Sequence, residues 1–578
     1  MNLFEDYYTL SLTLMGLLFT YICFQSIIEH KKIHVLHETG FGIIVGFVLG
    51  LIMKAFGHSI SFSGQNFFQI MLPPIIFSAG YNLKKRKFFS NIFYISLYAI
   101  LGTLINFIIT LLITDGFLKA GLIVDLNNDP VNLSTQDILY FSATMCASDA
   151  IAALTLINSV AYPKLFSVVF GEGLLNDAVA IILFNSVGTI VNKQGEVNLE
   201  ASTFGNLCLF FLKNCFLSIF IGIVVGLLAT YFTKVFRPLV KDPIKINVFI
   251  LIVGYSSYCI GEIAEVSSVI AMLTSGIVMN HYMKYNFEED GLKSTVVTVG
   301  TLSQVAESIL FIYLGISSWT YISDKAKVSF SFIGLSFIIT IVARLGCIYF
   351  TSAIACLFMG KKWDLNKYEL FIIWFAGLIR GAVAFALIIT IQNSLNPVIT
   401  STILFIVFFT TVFLGGFMSS FIKYFTGLMS KSPEVQERNK KNQELANEKK
   451  LKSKKKVSKL KNLEEGFLKP FLIYDYLNRK KSIQEEKKKK LLEEMEMYEF
   501  EKRQSFESSK SNVSSRNESQ SSELNQTQNN ILNHLIYNNQ SQDYIIKYNN
   551  NIVYSSELKN KESDQQQNCD GVEKQDQM

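Results

Sequence analysis

Polar side chains interrupt an otherwise apolar helical stretch, residues 169–184, with the sequence VFGEGLLNDAVAIILF. Glu172 and Asn176 are four residues apart, as are Gly173 and Asp177, so an α-helix places all four in one sector of its surface. Placing a charged carboxylate at the centre of a membrane-length apolar helix costs roughly 2.5–3.5 kcal/mol. The stretch therefore predicts either a satisfied structural ion pair or a carboxylate that binds a proton or a cation.

Ionisable residues also occur in other apolar segments. They are Asp149 in YFSATMCASDAIAALTLI, Glu307 in SQVAESILFIYLG, Arg344 in IITIVARLGCIYF and Arg380 in WFAGLIRGAVAFAL. Two arginines cannot pair with all of the acids, so a carboxylate is left that needs a proton or a cation. An aqueous pore with charged rings also tolerates such groups, so a channel stays open as an alternative at this point.

The composition is that of a polytopic membrane protein. Of the 578 residues, 50% are hydrophobic and only 17% are charged. We place thirteen apolar segments of membrane-spanning character. They lie at about residues 8–28, 38–55, 66–81, 91–113, 137–158, 164–190, 205–232, 244–261, 266–282, 294–318, 328–358, 368–391 and 398–426. No nucleotide-binding loop, catalytic triad or thiol metal motif occurs in the sequence, so we predict no enzyme, no cofactor and no nucleic-acid partner.

Basic residues concentrate in the loops that follow the odd-numbered segments. The run KKRK at residues 84–87 is the densest, whereas the loops after even-numbered segments hold far fewer lysines and arginines. The positive-inside rule therefore places these basic loops and the C-terminus in the cytosol.

The composition changes after residue 426, which predicts three domains. Residues 1–426 form the transmembrane domain. Residues 427–504 are charged, with basic runs at 449–456 and 487–490, and we interpret them as a helical cytosolic regulatory segment that either lies on anionic membrane lipid or is solvated. Residues 505–578 are rich in Ser, Asn and Gln and are expected to be mostly disordered.

Segment 12 contains a signal for a broken helix, because Gly377 and Gly381 flank Arg380. Transporters built from inverted repeats bind their substrate where discontinuous helices of the two halves meet. Segments 5 and 12 are seven apart, the offset expected if segments 1–6 and 8–13 are repeats. Segment 5 has neither Gly nor Pro next to Asp149, so its break is predicted by the repeat argument alone.

Several long motifs resemble the eukaryotic sodium/proton exchangers of the cation/proton antiporter superfamily (CPA1 type), nearest to the organellar branches. They are GEGLLNDAVAIILF, FFQIMLPPIIFSAGYNLKKRKFF, SGIVMNHY and AGLIRGAVAFAL, in order within about residues 35–425, and FLIYDYLNRK at 471–480 resembles the tail of organellar members. The resemblance implies an all-α inverted-repeat antiporter fold of about 13 transmembrane helices. It further implies two broken crossing helices, and a homodimer.

The resemblance also implies roles for the residues of segments 5 and 6. Asp177 would carry either one proton or one Na⁺, with Asp149 and Ser148 facing the same ion. Asn176 stands where electrogenic relatives have a second Asp, which implies one-for-one electroneutral exchange. Na⁺ or K⁺ would therefore bind at Asp177 and Asp149.

Other positions match family features further from the ion. Glu172 and Arg344 match a structural pair that steadies Asn176, and Arg380 and Glu307 match charges with conformational roles. Leu72, Pro73 and Pro74 match a segment associated with amiloride-type inhibitors. The chain departs from the family pattern at Ala150, where Pro is usual and where Ala favours a continuous helix, and at Gly173, where many members have Ser.

The resemblance implies an electroneutral Na⁺/H⁺ antiporter that works by alternating access in pH and cation homeostasis, in an endomembrane or the plasma membrane, with cytosolic regulators as possible tail partners. A K⁺/H⁺ exchanger of an acidic organelle would use the same residues. A cation channel would be distinguished by current. A transport-inactive membrane sensor is a further alternative, against which the intact set Asp149, Asn176, Asp177 and Arg380 argues.

Overall fold

The computed structural model is mainly helical in the ranges that it describes. These are residues 3–31, 38–55, 67–83, 85–125, 128–154, 156–157, 162–190, 201–322, 328–359, 365–391, 395–431 and 464–476. Within them the extended pairing is confined to one isolated bridge, between Val124 and Pro130. The predicted all-α class is confirmed.

Each of the thirteen apolar segments contains helix. The first half of the chain forms α1 (Leu3–Lys31), α2 (Glu38–Ala55), α3 (Leu72–Tyr81), α4 (Lys85–Ser90), α5 (Ile92–Ser96), α6 (Thr103–Lys119), α7 (Thr135–Thr144), α8 (Ile151–Leu154) and α9 (Pro163–Ile190). The second half forms α10 (Ala201–Val235), α11 (Arg237–Lys241), α12 (Pro243–Ile263), α13 (Ser268–Tyr282), α14 (Glu289–Ile322), α15 (Phe330–Met359), α16 (Lys367–Ala376), α17 (Ala382–Thr390), α18 (Pro397–Phe409) and α19 (Gly415–Lys431), and α20 (Lys469–Leu472) follows in the tail.

The apolar helices support a multi-pass membrane protein. In the described part of the chain, seven helices are long and apolar enough to cross a membrane, and shorter apolar helices cover Met15–Ile28, Thr39–Ala55 and Phe67–Tyr81. Many large apolar side chains face outward, among them Leu209, Phe216 and Phe220 on α10. An outward apolar surface of this kind is what a lipid environment requires.

The helices pack as two bundles. One, which we call the straight bundle, contains α1, α2, α3, α10, α12, α13 and α14. The other, the crossed bundle, contains α5–α9 and α15–α19. Segments 5 and 12 are both broken within the crossed bundle, because α7 ends at Thr144 before α8 begins at Ile151, and α16 ends at Ala376 before α17 begins at Ala382. Alanine at position 150 was expected to favour a continuous helix, but segment 5 is broken there.

The predicted tail domains lie mostly outside the described residues. Of the segment 427–504, the structure describes residues up to 431 and residues 464–476, and the segment 505–578 is not described. Their assignment as a regulatory segment and a disordered tail stays a prediction.

Small residues let α2 and α14 pack backbone to backbone in the straight bundle. A Cβ atom at Gly46 would lie 1.9 Å from the carbonyl oxygen of Ile312, and one at Gly315 would lie 2.1 Å from that of Ile43. Close backbone approach through glycine is a common means of packing helices in membranes, where apolar burial by itself does not favour helix association.

We expect Gly315→Ala to destabilise the protein, because the new methyl group forces α2 and α14 apart. The cost is of order 1–3 kcal/mol, as in other overpacked interiors. The measurement is thermal unfolding of the detergent-solubilised chain. Gly334→Ala is the matched control, since a Cβ there meets no described atom within 4 Å. Equal melting temperatures for the two variants would contradict this packing.

Candidate functional site

The two broken segments hydrogen-bond to each other where they cross. The backbone N–H of Asp149 donates to the carbonyl oxygen of Ile379 at 2.9 Å. The Arg380 side chain is buried, and its Nη1 donates to the carbonyl oxygen of Ala147 at 3.2 Å. Each segment thus supplies a hydrogen-bond partner to a backbone group of the other segment that has no partner within its own broken helix. The positive guanidinium also lies beside the negative, C-terminal end of α7.

Asn176 braces the break in segment 5 from the neighbouring helix α9. Its Nδ2 donates to the Ser148 hydroxyl at 2.6 Å and to the carbonyl oxygen of Cys146 at 3.0 Å. Its Oδ1 lies 2.5 Å from Thr103 Oγ1, which can donate to it. The sequence argument did not find Thr103, because a threonine in an apolar helix usually bonds only to its own helix and has no distinguishing pattern.

Thr410 and Thr411 brace the break in segment 12 and were also missed. The N–H of Arg380 donates to Thr410 Oγ1 at 3.1 Å, and Thr411 Oγ1 lies 2.8 Å from the Arg380 carbonyl oxygen. Both threonines begin the π-helical turn Thr410–Leu414. Such turns are frequent at functional sites, since the extra residue shifts side chains out of their regular α-helical positions.

Glu172 and Arg344 form an ion pair, Arg344 Nη2 donating to Glu172 Oε1, and both side chains are buried. The guanidinium also passes directly over the second break. A Cβ at Gly377 would lie 2.0 Å from Arg344 Nε, so only glycine leaves room for the arginine. The pair contacts the break in segment 12, whereas the hydrogen-bond partners of Asn176 are Thr103, Cys146 and Ser148.

A cavity of about 140 Å³ lies between the crossed and straight bundles. The crossed bundle contributes the carboxylates of Asp149 and Asp177 and the hydroxyl-bearing Ser148. The straight bundle contributes Glu307 and an apolar wall that includes Leu72. Two carboxylates and a hydroxyl beside an apolar wall can hold a proton or a dehydrated monovalent cation, since oxygen ligands replace the lost waters.

The predicted site residues separate into three groups. Asp177, Asp149, Ser148, Glu307 and Leu72 border the cavity, whereas Asn176, Arg380, Glu172 and Arg344 lie behind it among the braces. Pro73 and Pro74 start α3 and are not among the lining residues. Within the described ranges, Glu307 does not form a metal-chelating group together with the two aspartates.

The two departures from the family pattern contact each other at the cavity. A Cβ at Gly173 would lie 3.1 Å from the Cβ of Ala150, and both residues line the cavity. A side chain at position 173 would crowd Ala150, because a Cβ–Cβ distance of 3.1 Å is shorter than ordinary van der Waals contact. Glycine therefore keeps the space beside Asp177 open.

We expect Glu172→Leu to be strongly destabilising, because it leaves the Arg344 guanidinium buried without its counter-ion. The cost of breaking a buried pair from one side is about 3–5 kcal/mol, and the double variant Glu172→Leu/Arg344→Met should recover most of it. Thermal unfolding in detergent measures both. Asp115→Asn, which removes the exposed partner of Lys119, is the control and should change little. Additive losses in the double variant would contradict a direct pair.

The sequence is similar to that of known proteins over most of the membrane domain. Residues 14–423 match the family model described as sodium/hydrogen exchanger, transmembrane. Sodium/hydrogen exchanger 1 of rice (Oryza sativa subsp. japonica) is 32% identical over 390 residues, covering 64% of this chain and 70% of that protein. Human sodium/hydrogen exchanger 3 is 31% identical over 432 residues, covering 71% of this chain and 48% of that protein.

A solved structure has a similar fold at low sequence identity. The sodium proton antiporter MjNhaP1 from Methanocaldococcus jannaschii aligns with a TM-score of 0.50 and 17% identity, covering 75% of this chain and 99% of that chain. The family is one of ion exchangers and not of enzymes. Since the family model matches residues 14–423, which hold most of both bundles, the chain belongs to the sodium/hydrogen exchanger family.

Proposed function

We propose that this protein exchanges Na⁺ for H⁺ across a membrane, one for one, by alternating access. The observation that carries the proposal is the position of Asp149 and Asp177. Both border one cavity between the bundles, next to the crossing of the two broken helices. Inverted-repeat transporters bind their ions at such crossings. The family to which the chain belongs supports the identity of the ions.

In this proposal, Na⁺ and a proton compete for the Asp177 carboxylate. Na⁺ would take oxygen ligands from Asp177, Asp149 and the Ser148 hydroxyl in place of its waters. Asn176 carries no charge, and its amide is used to brace the break. The occupied site then has the same net charge with Na⁺ as with H⁺, so exchange moves no net charge. Moving the carboxylate across the membrane without bound Na⁺ or H⁺ would cost the desolvation free energy of an unpaired ion. This cost prevents the unoccupied site from changing sides.

Rigid-body movement of the crossed bundle would expose the site to each side in turn. The two breaks are joined by Asp149–Ile379 and Arg380–Ala147 hydrogen bonds, so they can move as one unit. The cavity wall that contains Leu72 and Glu307 belongs to the other bundle. Sliding along that largely apolar wall breaks few hydrogen bonds. We assign conformational roles to Arg380, Glu307 and the Glu172–Arg344 pair on this basis.

The finer features remain part of the proposal. K⁺ would use the same oxygen ligands as Na⁺. We also propose a homodimer, a cytosolic C-terminus, binding of cytosolic regulators to the tail, and inhibitor binding at the Leu72–Pro73–Pro74 segment. The resemblance to organellar exchangers favours an endomembrane location, with the plasma membrane as the alternative.

We expect Asp177→Asn to abolish exchange, because an amide can neither bind the proton nor supply the charge that holds the cation. The measurement is cation-driven proton flux in sealed proteoliposomes, with Na⁺ and K⁺ tested in separate arms and with the voltage clamped or unclamped. Asp115→Asn, at the exposed Asp115–Lys119 pair, is the matched control and should transport normally. Normal flux from folded Asp177→Asn protein would overturn the assignment of the carboxylate.

The same assay distinguishes the competing functions. Flux that depends on Asp177 and ignores voltage identifies electroneutral exchange, and the more effective cation names the substrate. A voltage-dependent current would identify a channel. Absence of flux from folded wild-type protein would favour a transport-inactive sensor.

We expect Thr410→Val to weaken Na⁺ binding, because the N–H of Arg380 loses its buried acceptor and the break beside Asp149 shifts. A lost hydrogen bond of about 1.4 kcal/mol corresponds to a roughly tenfold higher Na⁺ concentration at half-maximal exchange. Thr410→Ser keeps the hydroxyl and should restore wild-type values. Thr402→Val is the control, since this buried hydroxyl has no hydrogen-bond partner among the described residues. An unchanged Na⁺ dependence in Thr410→Val would show that the brace does not position the site.

A further inference from the structure

A short stretch of the tail, residues 467–476, packs on the straight bundle at the end of α10. We call this stretch the tail clasp. It contains α20. Leu472 and Ile473 are buried, with exposures of 2% and 3%. Burial of two adjacent apolar side chains in a stretch that follows a highly charged segment indicates a specific contact.

Asn286 is the centre of this contact. It ends the 3₁₀ turn after α13 and is fully buried. Its Nδ2 lies 3.1 Å from the carbonyl oxygen of Leu472 and 3.1 Å from Thr233 Oγ1 on α10, and its Oδ1 accepts from the N–H of Tyr474 at 2.8 Å. The side chain therefore joins α10, the end of α13 and the clasp. Without the clasp, its buried polar atoms would lose partners, at a cost of about 1–3 kcal/mol.

Two basic residues, Lys234 at the end of α10 and Arg237 at the start of α11, complete the surface that receives the clasp. Lys234 Nζ donates to the carbonyl oxygens of Pro470 and Phe471, both at 2.8 Å, which caps the end of α20. The guanidinium of Arg237 lies 4.3 Å from the centre of the Tyr474 ring and donates to the carbonyl oxygen of Asn286. The ring of Tyr231 stacks on that of Phe471 at 4.9 Å.

The clasp and the helix that precedes it along the chain belong to different bundles. The clasp lies on the straight bundle, whereas α19, the last described helix before it, belongs to the crossed bundle. The tail therefore contacts the bundle that does not contain α19.

We infer that residues 467–476 are an intramolecular ligand whose binding to Asn286, Lys234 and Arg237 holds the joint between α10 and α13 rigid while the crossed bundle moves. The receiving residues share no member with the ion cavity, so the binding is independent of the proposed exchange, whereas its effect on transport rests on that proposal. The chain beyond residue 476 then leaves from the stationary bundle. A cytosolic partner of the tail would affect exchange by releasing or retaining the clasp.

Hydrogen–deuterium exchange of the full-length protein tests the binding without reference to transport. Asn286→Ala changes the receiving surface, and Leu472→Asp changes only the clasp. Both should speed deuterium uptake in residues 467–476 by about tenfold or more, while the amides of α9 stay protected. Asn247→Ala, which removes a bond to Ser294 within the same bundle, is the matched control and should leave the clasp protected. Uptake in residues 467–476 that is equal in wild type and both variants would overturn the inference.

Proton flux in proteoliposomes tests the effect on transport. Both clasp variants should lower the maximal exchange rate by about threefold or more at an unchanged half-maximal Na⁺ concentration, because they loosen the support and not the ion site. A maximal rate equal to that of Asn247→Ala, with the clasp demonstrably released, would overturn the role in transport. Absence of flux from the wild-type protein would instead refute the exchange proposal. The deuterium measurement would still show whether the clasp binds to the straight bundle.

Discussion

The structure depends on how two interrupted helices satisfy each other's backbone. Breaking a helix in an apolar environment exposes peptide groups that have no water to bond with, so a break persists only where other groups replace the lost bonds. Here the Asp149 N–H bonds to Ile379, and the Arg380 guanidinium bonds to Ala147. Further groups are met from neighbouring helices, by Asn176, Thr410 and Thr411. The cavity bordered by Asp149 and Asp177 lies beside this braced crossing.

The buried charges divide into those that hold the crossing together and those that face the cavity. Arg344 and Glu172 pair in the interior, and Gly377 leaves the space that the arginine needs beside the second break. Asp149 and Asp177 instead border the cavity. This division explains how one membrane domain can retain several ionisable residues. Some are paired with an opposite charge, and others border the cavity where we propose that a cation or a proton binds.

The straight bundle is packed tightly, through glycines and through the tail clasp. Glycines bring α2 and α14 into backbone contact, and the tail clasp joins the ends of α10 and α13 through Asn286. Both features favour a rigid unit. A rigid support with a largely apolar wall fits the proposed movement of the crossed bundle, since sliding along an apolar surface breaks few polar contacts.

The sequence alone determined the helical class, the apolar segments, the family and the principal charged positions, because hydropathy, charge spacing and long motifs are local properties of the chain. It also located the break at Gly377–Gly381. A break in segment 5 was predicted by the repeat argument and the resemblance, and not by a local signal. Tertiary structure decided that this break forms with Ala150 in place of proline. It also decided the braces from Thr103, Thr410 and Thr411 and the placement of Glu307 on the cavity wall. The physical reason is that these features depend on partners from distant segments. A hydroxyl or an alanine carries no local sign of which backbone group will meet it.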